Sequence, residues 1–307
     1  MSFYERLAAR DPLLAMAARS CTPLSVHIDI TRRCNLTCAH CYAVGNPVDR
    51  LSTRTIKRFM DELAGMGTLF LVFSGGEIFL RKDLFTLLEY ARKKRFTCRL
   101  LTNATLIDAA AVERLKALRI QTVDVSIYSM DSRVHDAFTG SPSSLEKSRR
   151  AVEMMAGAGL KIRVKTSITR LNVAGYDRVA QWAKSLGPGV SNLFDLTVTP
   201  MEDGGRKPLS LNLDCQAKAR FLKSWIKRAE DARIEEDVEP VTEKISRSLD
   251  DPPCMVGKVG AYVAFDGEVY PCVEWRESCG SIIKPGFKKI WRESPVLRRA
   301  RELKISC

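Results

Sequence analysis

The stretch TRRCNLTCAHCY, Thr31 to Tyr42, decides how the rest of the chain is read. Cys34, Cys38 and Cys41 fall within eight residues, and Tyr42 follows the last of them. Soft thiolates select zinc, copper(I) or iron-sulfur clusters. A structural zinc site wants four ligands. Here the fourth would have to be His40 or His27, and His40 stands between two ligand cysteines, where its ring is expected to point away. A four-iron cluster can be held at three corners by three cysteines. One iron then keeps an open position, which is what a catalytic metal site requires.

Outward from this stretch the chain alternates short apolar runs with helical patterns. SVHIDI (Ser25 to Ile30) sets Val26, Ile28 and Ile30 against His27 and Asp29, the period of a strand. Further strands are expected at Thr68 to Phe73, Phe96 to Thr102, Gln121 to Ile127, Lys161 to Ile168 and Asn192 to Pro200. Helices lie between them, with Ser52, Asp83 and Asp108 as candidate caps. Six β-α steps in order imply parallel pairing through right-handed crossovers. The fold class is therefore α/β, a partial (β/α)6 barrel, whose active groups belong in the loops leaving the C-terminal ends of the strands. The expected organisation is an N-terminal helix over 1–23, the barrel with a following helix over 24–235, a linker over 236–253 and a small unit over 254–307. In that last unit Asp266-Gly267 between AYVAF and EVYPC signals a two-residue hairpin.

The 307 residues are 45% hydrophobic and 28% charged, enough for a large core. No signal peptide and no run of about 18 apolar residues is present, so a cytoplasmic protein without a membrane span is expected. Ten cysteines in that compartment should be mostly reduced. The isolated Cys21, Cys98 and Cys215 read as small buried hydrophobes. The net charge of +13 invites a nucleic-acid partner. However, the basic residues are dispersed among acids, and the 7% of aromatics form no stacking platform, so nucleic acid is not expected.

Cys34-x3-Cys38-x2-Cys41, in the loop after a first strand, resembles the signature of the radical S-adenosylmethionine (radical SAM) enzymes. SGGE, Ser74 to Glu77, stands after the second strand where that family places its second motif. The resemblance implies a [4Fe-4S] cluster on the three cysteines. Its open iron is chelated by the amino and carboxylate groups of SAM, and reductive cleavage releases a 5'-deoxyadenosyl radical that abstracts a substrate hydrogen. It also implies that Tyr42 lies near the adenine, and that Gly75 and Gly76 admit the methionine amino group close to the backbone. Glu77 would accept from that group, Asn103 would contact the ribose, and Ser126 would contact the carboxylate. Many relatives read HD followed shortly by an arginine that reaches this carboxylate. Here HDAFTG (His135 to Gly140) has none, and Lys165 is the candidate cation. His135 reads as a helix cap. Paired glycines also make turns, and Tyr42 also suits a core position.

Cys254-x12-Gly267-x4-Cys272 resembles the opening of the SPASM extension, which binds one or two auxiliary iron-sulfur clusters in enzymes that mature peptides and proteins. Cys307 stands where the next cysteine pair of that extension begins, and the expectation is that the natural reading frame continues beyond it. Cys279 reads as a free thiol. By this resemblance the chain is a maturase acting on a peptide or protein substrate and fed by an electron donor such as flavodoxin or ferredoxin. Only about two dozen residues precede the first strand, too few for a leader-binding module, so a separate leader-binding protein or leaderless recognition is implied. The alternatives are a radical SAM enzyme of haem, tetrapyrrole or other small-molecule cofactor biosynthesis, and a non-enzymatic zinc or electron-transfer module. No catalytic acid or base is identified.

Overall fold

A computed structural model describes residues 3–43, 48–231 and 251–305. Six parallel strands form its centre: β1 (Ser25–Thr31), β2 (Phe70–Gly75), β3 (Thr97–Thr102), β4 (Thr122–Ser126), β5 (Ile162–Ser167) and β6 (Val190–Asp195). The helices are α1 (Phe3–Arg10), α2 (Pro12–Ser20), α3 (Thr53–Ala64), α4 (Leu84–Lys93), α5 (Ala109–Ala117), α6 (Ser132–Thr139), α7 (Ser144–Gly157), α8 (Tyr176–Ser185), α9 (Cys215–Asp231), α10 (Phe287–Glu293) and α11 (Pro295–Glu302). The β-α alternation is as expected, with three differences. The N-terminal helix is two, because Asp11-Pro12 ends one and caps the next through the Leu14 amide. An additional helix, α6, starts at the Asp131 cap and ends at left-handed Gly140. β6 ends at Asp195, well before Pro200.

Local chemistry places these elements. Ser52 accepts from the Thr55 amide and Asp108 from the Ala111 amide, so both cap their helices. Asp83 sits at the cap position of α4 without capping it. Its carboxylate instead takes Arg81 Nε at 2.7 Å and Thr53 Oγ1 at 2.5 Å. The alternation in β1 sends Val26, Ile28 and Ile30 into the core with Ile56, Phe59 and Leu63 of α3. Each such fully buried side chain contributes about 1.5–3 kcal/mol.

The opposite face of the sheet is polar. Register places Tyr262, His27, Val72 and Arg99 in one row and Asp124 beside Arg163 and Ser126 beside Lys165 further along. Among the described residues, the helices that join β1 in the core cluster pack on the other face.

The C-terminal segment continues this sheet. β7 (Gly260–Val263) pairs parallel with β1, followed by β8 (Glu268–Tyr270) and β9 (Gly280–Ser281), giving the order β6-β5-β4-β3-β2-β1-β7-β8-β9. The β7–β8 hairpin closes through three residues, Phe265, Asp266 and Gly267, where two were expected. The Ala264 amide donates to Glu268 O and the Gly267 amide to Ala264 O, with Gly267 at φ +92°. That is a turn followed by a left-handed residue, which a glycine at the third position favours. Phe287 of α10 packs on Phe59 of α3 at 5.3 Å, and Trp291 Nε1 donates to Cys21 O at 2.6 Å. Most of the 236–253 connector and Cys307 lie outside the described residues. Among the described residues no helix is long and apolar enough to cross a membrane.

Candidate cofactor site

The cysteine loop leaves the C-terminal end of β1 and is gripped from two sides. At its root, the Gly76 amide donates to Thr31 O at 2.9 Å and the Glu77 amide to Arg33 O at 2.7 Å, which extends β1–β2 pairing past the strand ends. The approach is so close that a Cβ on Gly75 would lie 2.2 Å from Thr31 O, and one on Gly76 2.3 Å from Arg33 O. The glycine pair thus admits the loop's own backbone. On the far side, α6 supplies two carbonyls. The Thr37 amide donates to Thr139 O at 2.9 Å and the Ala39 amide to Phe138 O at 2.8 Å, bracketing Cys38. Gly140 lets Thr37 sit against the end of α6, where a Cβ would meet Thr37 Oγ1 at 2.2 Å.

Glu77 is wholly buried. Its carboxylate accepts from the Phe79 amide (3.0 Å), the Asn103 amide (2.7 Å) and the Thr102 hydroxyl (2.7 Å), tying the exit of β2 to that of β3. Burial raises its pKa, opposed by these three donors. Its oxygens face the chain's own donors. Asn103 follows β3, and its amide nitrogen reaches Asn35 Oδ1 at 3.0 Å and Cys34 Sγ at 4.0 Å. Its oxygen accepts from Thr105. Ser126 ends β4 beside the buried Tyr128 phenol. Lys165 is its register partner on β5. Lys165 makes no ion pair with a described residue, and burial is the main cause of its lowered pKa.

The three thiols are close neighbours. Burial pushes Cys38 up to about 12, with the nearby Cys41 and Cys34 adding to the rise, and Cys34 is raised chiefly by burial as well. Yet among the described residues no three His, Cys, Asp or Glu side chains are grouped tightly enough to hold one metal ion. Three thiols on one short loop, too far apart to close on a single ion, fit a polynuclear cluster better than a mononuclear zinc. Three aromatics stand behind the loop: His40, weighed in the sequence only as a zinc ligand, and Tyr128 and Phe138, for which sequence reading offered no site role. The His40 ring packs 5.0 Å from Tyr128 and 4.9 Å from Phe138, and those two stack at 4.2 Å. Burial lowers His40 to about 4, so it stays neutral. Tyr42 turns away from this group, and its ring lies 5.1 Å from the Arg276 guanidinium.

His135 lies inside α6, 1% exposed, and does not cap it. Its Nδ1 is 3.1 Å from Ser144 Oγ, and burial holds its pKa down at about 4 against an ordinary 6.5. The unfolded chain therefore protonates first as pH falls. The contribution is intact above about pH 6.5 and is lost toward pH 4, a change of about 3 kcal/mol at most. Urea unfolding at pH 7 and pH 4.5 should show this loss, and His135→Gln should flatten it.

Of the remaining cysteines, Cys98 is buried as expected and Cys21 half-buried, but Cys215 is exposed at the start of α9. In the C-terminal unit Cys254 is exposed and Cys272 half-buried, with the Trp275 amide donating to Cys272 Sγ at 3.3 Å. Burial pushes the Cys279 thiol up to about 11, in keeping with an unreactive free thiol.

Comparison with known proteins agrees with this geometry. A family profile described as the radical SAM superfamily matches residues 28–184, and one described as SPASM, an iron-sulfur cluster-binding domain, matches 254–307. The chain is 27% identical to the AdoMet-dependent heme synthase of Nitratidesulfovibrio vulgaris, over 89% of this chain and 80% of that protein. It is also 27% identical to the antilisterial bacteriocin subtilosin biosynthesis protein AlbA of Bacillus subtilis, over 90% and 61%. Among solved structures it is similar in fold to Streptococcus suis SuiB bound to its precursor peptide SuiA. The TM-score is 0.74 at 17% identity, covering 99% of this chain and 73% of that one.

Proposed function

The chain belongs to the radical SAM superfamily and has a SPASM iron-sulfur domain, and on that premise we propose that it is a maturase that modifies a peptide or protein. Its cofactors are a [4Fe-4S] cluster and SAM, with auxiliary clusters implied by the SPASM domain. The bound cluster and SAM supply a 5'-deoxyadenosyl radical for hydrogen abstraction.

In this reading Cys34, Cys38 and Cys41 hold three irons. Gly75 and Gly76 fix the loop root, and Glu77 locks the β2 and β3 exits together. Asn103 steadies Cys34 and Asn35. A ribose contact would require it to give up one of those bonds. Ser126 and Lys165, register partners at the ends of β4 and β5, would receive the methionine carboxylate. Cys254 and Cys272, with Cys307, are the auxiliary ligands. An external donor of the flavodoxin or ferredoxin type supplies electrons, and a separate leader-binding protein can deliver the substrate.

The observation that carries the substrate class is the open side of the polar sheet face. β6 ends the sheet on the side away from β9, and Leu193 on it is 45% exposed, with Ser191 and Asp195 also exposed. A polypeptide can lie along that edge and reach the cysteine loop. The similarity to a haem synthase along 89% of the chain favours a second reading, a carboxylate-bearing tetrapyrrole. The test uses reconstituted protein, SAM and a strong reductant with peptides encoded by the flanking genes. A peptide that raises 5'-deoxyadenosine release and changes mass supports the maturase reading. Stimulation by a propionate-bearing tetrapyrrole, with none from any peptide, would replace it.

A further inference from the structure

Side chains of the C-terminal unit reach the cysteine loop, and Arg276 reaches its Tyr42 end. Arg276, four residues after Cys272, places its guanidinium carbon 5.1 Å from the ring centre of Tyr42, 4.9 Å from Tyr262 and 5.4 Å from Tyr270. It pairs with Glu202 at 3.2 Å. Arg32, two residues before Cys34, holds the same carboxylate through both oxygens and stacks on Phe265 of the hairpin at 4.7 Å. The Glu202 amide donates to Tyr42 O at 3.0 Å. Tyr262 completes the group by donating to Asp29 Oδ2 at 2.5 Å.

Tyr42 is thus held twice, its backbone by Glu202 and its ring by Arg276. It is bonded directly to Cys41. A planar guanidinium among three phenol rings, with a carboxylate at its edge, is an arrangement that a lysine ammonium reproduces only in part. We infer that Arg276 is a positioning residue for the cysteine loop: through it the Cys272 segment sets Tyr42, and with Tyr42 the placement of Cys41. Neither family motif includes Arg276, and it touches none of the three cysteines. Its influence on the cofactor site has to travel through Tyr42 and Glu202.

The inference rests on reading the loop as a SAM-cluster site, and the experiment separates the two. Full-length reconstituted protein is titrated with radiolabelled SAM, and the EPR spectrum of the reduced protein is recorded with and without SAM. Arg276→Gln should weaken SAM binding about tenfold and reduce the SAM-induced spectral change, and Arg276→Lys should recover part of both. Added to Tyr42→Ala, Arg276→Gln should cost clearly less than its tenfold alone, because only the Glu202 route to the backbone of residue 42 remains. If Arg276→Gln proves unfolded, Arg276→Lys is read alone, with several-fold weaker binding expected. A folded variant indistinguishable from wild type, or losses that multiply in the double variant, would overturn the inference alone. A wild type that binds no SAM would overturn the cofactor reading and this inference with it.

Discussion

Cys38→Ala is expected to abolish reductive SAM cleavage while leaving the fold in place. The rate should fall by about 1000-fold or more, which is roughly 4 kcal/mol of lost barrier reduction. With one of three thiolates gone, the loop offers only two cysteine ligands to the cluster. The backbone around position 38 is held independently, by the Thr37 and Ala39 amides on the end of α6. Melting should therefore move by only a few degrees, within about 1 kcal/mol. The control is Cys98→Ala, whose thiol is buried in the core on β3. It should cost about 1 kcal/mol of stability and leave SAM cleavage intact. Iron content, melting and 5'-deoxyadenosine release on the same samples separate these outcomes.

Gly76→Ala should damage both stability and cofactor loading. The added methyl would stand 2.3 Å from Arg33 O, 2.7 Å from Arg33 C and 2.8 Å from Arg32 O. All three are backbone atoms, so no rotamer relieves the contact. Gly76 is not at positive φ, so the effect is steric and not torsional. We expect about 3 kcal/mol of destabilisation. A shifted loop root should lower cluster retention and reduce SAM cleavage about 100-fold, since misplacement by about 1 Å costs that much. Gly157→Ala makes the comparison, because a Cβ at the end of α7 meets nothing within 4 Å. It should be neutral or slightly stabilising.

The six strands were legible because alternation in β1, β3 and β5 and the apolar run of β2 report burial directly. The cysteine spacing and the SGGE stretch located the site for the same local reason. What could not be read is what those residues touch. The glycine pair packs against the backbone of Thr31 and Arg33, more than forty residues earlier, and no local signal announces that contact. The intrachain partners of Glu77, namely Phe79, Thr102 and Asn103, were likewise not legible. The α6 helix had local signals, an Asp131 cap and Gly140 at its end, and those would have identified it. Its service to Thr37 and Ala39 had none. The same holds for the Tyr128–Phe138–His40 stack and for Arg276 over Tyr42, which join segments distant in the chain. The hairpin length depended on whether Phe265 paired, and a DG signal alone does not fix that.

The account stands on the open iron position of the Cys34, Cys38 and Cys41 cluster. It is tested most directly by reducing anaerobically reconstituted protein with dithionite in the presence of SAM and quantifying 5'-deoxyadenosine and methionine. The prediction is a brown protein that forms both products in equal amounts, with formation lost in Cys38→Ala. A colourless, zinc-loaded protein that leaves SAM intact under the same reductant would contradict it.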